Sequence, residues 1–131
     1  MKKNLLFAAL ALSSFAWAAG CTKKDGGGNT APPVSPAAQK EAQEIFASRC
    51  AVCHGAQGAG DGAASAGLTP KPRNFQDKAW SGSVQDDYLV NIVKNGGAAV
   101  GKSPAMPPNP DLAEKTEVLQ ALAQHIRGLG K

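Results

Sequence analysis

Cys50-Ala51-Val52-Cys53-His54 gathers two thiols three residues apart and an imidazole directly after the second. Three chemistries use such a set. The thiols could form a redox dithiol, the group could be half of a zinc site, or it could be an attachment point for haem. In the last case each cysteine adds to one vinyl group of the porphyrin and the histidine hands a ring nitrogen to the iron.

The surroundings weigh unequally on these readings. A dithiol of the thioredoxin kind needs a preceding strand within a βαβ unit, and the sequence carries no strand signal and no internal repeat. Zinc needs two further ligands, and beyond the pentapeptide the chain offers only His125 and Cys21. Covalent haem uses every residue of the motif, and a chance C-x-x-C-H match in such a chain is on the order of one in a thousand. A large planar apolar cofactor would also serve as the core that an aromatic content of 5% does not supply.

The elements that must hold this motif follow from periodicity. Ser35-Pro36 offers an N-cap followed by proline at the first helical position, and Ala38, Ala42, Ile45, Phe46 and Arg49 recur at three- and four-residue steps. The spacing predicts a helix over about 36–50. Residues 55–82 are rich in glycine and proline and read as loop. Ser83 as cap, Asp86 and Asp87 in the first turn, the stripe Val84, Leu89, Ile92 and Val93, and Gly96 as stop predict a helix over 84–95. A second loop follows, and Val118, Leu119, Leu122, Ile126 and Leu129 mark a final helix over 116–128. Three helices around two long loops predict an all-α domain that needs something for the loops to wrap.

Residues 1–20 have a charged start and a short apolar run, the layout of a bacterial export signal. The small-x-small sequence Ala16-Trp17-Ala18 suits an ordinary signal peptidase, whereas Ala18-Ala19-Gly20-Cys21 resembles a lipobox, imperfect at Ala18, whose cysteine would be lipidated. Residues 21–35 are a run of glycine, proline and small polar residues that reads as a flexible tether, and a tether is useful only when its end is held. The expectation is therefore a lipid anchor on Cys21 and a periplasm-side domain over 36–131. Thr22 leans this toward the outer membrane. The whole chain carries a formal charge of +4, but from Ala37 onward ten Lys or Arg face nine Asp or Glu, a net of +1. That balance gives no support to nucleic-acid binding.

Over residues 36–129 the sequence resembles the small monohaem class I cytochromes c. The resemblance is carried by Cys50-Ala51-Val52-Cys53-His54-Gly55, by Phe46 four residues before the first cysteine, by Ser103-Pro104-Ala105-Met106-Pro107-Pro108, and by the closing stretch 122–129. It implies a small cytochrome c fold, an all-α envelope around one covalently bound haem c, in which the first and last helices cross. Ala42 and Phe46 match the positions at the crossing, with Leu122 and Ile126 as partners. Met106 matches the family's second axial ligand, opposite His54, and His125 stands where the family packs a tyrosine. The family fixes the proximal histidine through a proline carbonyl, for which Pro70 and Pro72 are the candidates. Arg73 and Trp80 are candidates to hydrogen-bond the haem propionates, which would turn the domain's charge to roughly −1.

A thioether ligand favours ferrous iron and fills the sixth position against oxygen or peroxide. The resemblance thus implies a monomeric single-electron carrier, not an enzyme, passing electrons between periplasmic or membrane-bound redox proteins by transient contact. Two rivals need a labile Met106: a haem-bearing subunit of a redox enzyme, and a sensor that binds a small gas.

Overall fold

The computed structural model describes residues 33–131. The export signal, Cys21 and most of the tether lie outside the described residues.

The first helix, α1 (Pro36–Ile45), starts as its sequence demands. The Ser35 hydroxyl accepts from the Ala38 amide at 3.2 Å, and Pro36 occupies the first turn, where no N–H is needed. It buries Ala38, Ala42 and Ile45. The helix does not stop at Cys50 as the spacing predicts. It passes through one π-helical turn (Phe46–Cys50) into a short α2 (Ala51–His54), so the helical path runs on to His54. A π turn carries one extra residue, which shifts the helical phase just before the cysteines.

The segment read as loop over 55–82 also contains helix. A 3-10 turn spans Ala63–Ser65, and α3 (Lys78–Ser83) is capped by Asp77, whose carboxylate accepts from the Trp80 amide at 3.1 Å. The following helix, α4 (Asp86–Asn95), begins two residues later than its apolar stripe suggests. Ser83 closes α3 and Val84 is extended, leaving Gln85 as the cap. The last helix, α5 (Thr116–Leu129), lies where periodicity places it.

The first and last helices pack together, and α4 packs on α5. Ala42 and Leu122 have no exposed surface, and Phe46, Leu119, Ala121, Ala123 and Ile126 are buried with them, as the expected crossing requires. Polar ties close the rim. Glu117 accepts from the Ser35 amide at 2.7 Å, Lys115 pairs with Glu41 at 2.5 Å, and Arg49 pairs with Asp111 at 2.8 Å. Among the described residues there is no strand, so the fold is all-α with loops, as expected. No helix among them is long and apolar enough to cross a membrane.

Candidate haem site

The helical turn of α2 decides how the motif is presented. Residues three and four apart share a helix face, so Cys50, Cys53 and His54 are displayed together. All three are half-buried, and neither thiol is in a disulfide. Burial raises the pKa of the Cys50 thiol; Arg49 opposes that shift and Cys53 adds to it. A protonated thiol is the reverse of what a redox dithiol needs, since the thiolate is the attacking form. Among the described residues no group of three or more His, Cys, Asp or Glu is arranged to hold a metal ion, so the zinc reading gains nothing either.

His54 is fixed on two sides. Its Nδ1 lies 3.1 Å from the Arg73 carbonyl oxygen. A carbonyl only accepts, so in the neutral ring Nδ1 carries the hydrogen and Nε2 keeps the lone pair that a metal would use. Desolvation lowers the pKa of His54, partly offset by this same hydrogen bond, and holds the ring neutral, the form that can ligate. The ring face stacks on Phe75, centroids 4.5 Å apart and planes 14° from parallel. The carbonyl expected from Pro70 or Pro72 thus comes from Arg73.

Glycines make that close approach feasible. The loop after His54 folds back so that the Gly60 amide donates to the His54 carbonyl at 2.7 Å and the Gly62 amide donates to the Cys53 carbonyl at 3.1 Å, satisfying groups that the end of α2 would leave open. Gly60 has φ +82°, and a Cβ there would sit 2.6 Å from the Pro72 oxygen. At Gly62 a Cβ would run into the carbonyls of Ala51 and Val52. Any larger residue pushes the 72–73 segment, or the loop itself, away from the histidine.

Met106 is seated differently. Gly96 ends α4 with φ +79°, and the Gly97 amide donates to the Met106 carbonyl at 2.9 Å. Asn109 holds the far side of this loop, its amide donating to the Lys94 carbonyl at 3.0 Å and its side chain to the Val93 carbonyl at 2.8 Å. A Cβ on Gly96 would lie 2.9 Å from the Met106 oxygen, and one on Gly97 would meet the Ser103 oxygen and the Met106 Cβ. Met106 itself is half-buried. The sequence marks this glycine pair only as a helix stop, while here it is the seat of the methionine loop. Asn109 and Phe75 were likewise missed, because nothing in their spacing announces a role.

Of the two candidates for the propionates, Arg73 is exposed and its guanidinium pairs with Asp77 at 3.4 Å while lying 5.3 Å from the centre of the Trp80 ring. Trp80 is half-buried and stacks on Phe75 at 5.8 Å. The two residues therefore support one another and the ring behind His54. His125 is on α5, edge-on to Phe46 at 4.7 Å, a packing position as expected.

Two thiols on one helix face, an imidazole whose Nδ1 is tied to a carbonyl so that Nε2 keeps its lone pair, and a soft thioether on a loop bonded to the end of α4 are donors of the kind that suit a covalently held haem iron. The family model described as "Cytochrome C oxidase, cbb3-type, subunit III" matches residues 37–126. No curated protein matches the chain.

Proposed function

The chain belongs to the cytochrome c family described as cbb3-type cytochrome c oxidase subunit III, with the haem-based electron-transfer role of a c-type cytochrome, and we propose that it is a single-electron carrier with one covalently bound haem c. The observation that carries this reading is the seat of His54, whose ring stacks on Phe75 with Nδ1 3.1 Å from the Arg73 carbonyl oxygen, on the same helical turn as Cys50 and Cys53.

In this reading Cys50 and Cys53 hold the haem by thioethers, and His54 and Met106 ligate its iron. The haem supplies, when bound, an iron that alternates between Fe(II) and Fe(III). The chain's own residues do the rest. His54 keeps one protonation state because its Nδ1–H is tied to a carbonyl and its charged form is disfavoured by burial. Met106 is held on a loop tied by backbone hydrogen bonds to the end of α4, which restrains where its thioether can sit. Arg73 and Trp80 remain our candidates for the propionates.

Export and attachment of a lipid to Cys21, followed by the tether, would hold the domain near a membrane; cytochrome c domains are usually exported. The family description favours a partner within an oxidase complex, so a haem-bearing oxidase subunit is the second reading. The two differ in what the chain co-purifies with, not in its site. A gas-binding or peroxidatic site would instead need Met106 to leave the iron. The deciding experiment is a spectrum. The oxidised protein should show the weak red charge-transfer band of an iron to methionine-sulfur bond, and the ferrous protein should bind carbon monoxide slowly. Prompt carbon monoxide binding by the native ferrous form would overturn the simple carrier.

A further inference from the structure

Arg127, near the end of α5, is absorbed by none of the roles above, yet its guanidinium makes three polar contacts with residues 81–86. Its Nε lies 2.6 Å from Asp86 Oδ1, its Nη2 donates to the Val84 carbonyl at 2.5 Å, and its Nη1 donates to the Ser81 carbonyl. The pair is well enclosed, with side chains 19% and 21% exposed. One guanidinium thus grips the end of α3, the extended link after it, and the start of α4. Asp86 also sits in the first turn of α4, where the helix dipole favours its negative charge.

What α3 carries gives this grip its meaning. Trp80 is on α3 and stacks on Phe75, whose ring also stacks on the imidazole of His54. The Phe75 amide donates to the Gly58 carbonyl at 2.7 Å, and two residues before it is the carbonyl that fixes Nδ1. The end of α5 closes on the same segment. Gly130 approaches the Phe75 carbonyl so nearly that a Cβ there would lie 2.6 Å from the oxygen, and Leu129 and Phe75 together fill the space beside Gly58. Residues 73–84 therefore form a strap lying behind His54, latched at its far end by Arg127.

We propose that Arg127 is a positioning residue for His54, fixing the orientation of the imidazole through the strap of Arg73, Phe75 and Trp80. This rests on the reading of His54 as the proximal haem ligand. The fork geometry matters: lysine carries one point of charge and cannot serve three acceptors spread over two elements, so it replaces the latch only in part.

The test uses the full holoprotein in its ferrous form and follows solvent exchange of the His54 Nδ1–H by NMR, with the Leu122 amide as an internal report on global opening. R127Q should speed exchange at Nδ1 by about tenfold or more while leaving the Leu122 amide within about twofold of wild type, because only the strap opens. R127K should fall between. If R127Q does not fold, D86N, which takes the charge from the pair and leaves both carbonyl bonds, is read by the same comparison, with an acceleration of about threefold or more expected. Unchanged Nδ1 exchange, or acceleration in step with Leu122, overturns the positioning role while the haem stays covalently bound. Wild-type protein without covalent haem overturns the haem reading, and the positioning role with it.

Discussion

Gly97→Ala offers a sharp perturbation of the methionine side of the site. Gly97 has φ −63°, a conformation alanine adopts freely, so backbone strain contributes nothing. The new methyl group meets the Ser103 carbonyl oxygen well inside the 3.3–3.6 Å of an ordinary carbon–oxygen contact, and it stands 3.3 Å from the Met106 Cβ. The 103–106 loop must therefore retreat by about 1 Å, lengthening the hydrogen bond from the Gly97 amide to the Met106 carbonyl, now 2.9 Å. Losing that bond and crowding the loop together cost about 1–3 kcal/mol. If the loop relieves the crowding by releasing the thioether, the fraction of iron without its methionine rises by about 5- to 150-fold. Two readings follow it: a weaker red charge-transfer band in the oxidised protein, and a faster carbon monoxide reaction in the ferrous one. Wild-type band intensity with an unchanged carbon monoxide rate in the folded variant would refute the claim that Gly97 seats Met106.

Four further outcomes are expected. Leu122→Ala should destabilise the fold by about 2–5 kcal/mol, read as a lower urea midpoint, because a fully buried side chain at the α1–α5 crossing leaves a cavity behind; a shift under 1 kcal/mol would contradict the crossing. Gly60→Ala combines a positive φ with a Cβ 2.6 Å from the Pro72 oxygen, so it should lower stability by about 1–2 kcal/mol and loosen the His54 hydrogen bond, visible as faster Nδ1–H exchange. His125 has its pKa lowered from the ordinary 6.5 by desolvation. Its contribution is thus fully present above that value and is lost as pH falls through the lower folded pKa. His125→Gln should flatten the loss of stability as pH falls below about 6.5, and an unchanged profile would count against burial as the cause. Cys53→Ala should leave a single thioether, read as a changed pyridine haemochrome spectrum, whereas an unaltered spectrum would show that Cys53 takes no part in attachment.

The parts legible in the sequence were those where one side chain pattern dominates. Ala38, Ala42 and Ile45 declared α1, the stripe ending at Val93 declared α4, and Val118 to Ile126 declared α5. The turn carrying Cys53 and His54 was legible as chemistry but not as helix, because the π turn shifts the phase and Gly55 looks like a break. Helix α3 went unread for a different reason. Its six residues have no apolar stripe, and it is held by the Asp77 cap, the Trp80 stack and Arg127, all of which are tertiary except the first. The choice of Arg73 over Pro70 or Pro72 depends on how closely Gly60 lets the chain approach, a distance that no spacing rule contains.

The most direct test of the central claim is the mass of the tryptic peptide that carries Cys50 and Cys53, taken from the exported protein after acid and reductant treatment. Covalent attachment through both cysteines predicts a peptide heavier by one haem, with no free thiol available to alkylation. A peptide of unmodified mass with two alkylatable thiols would contradict it.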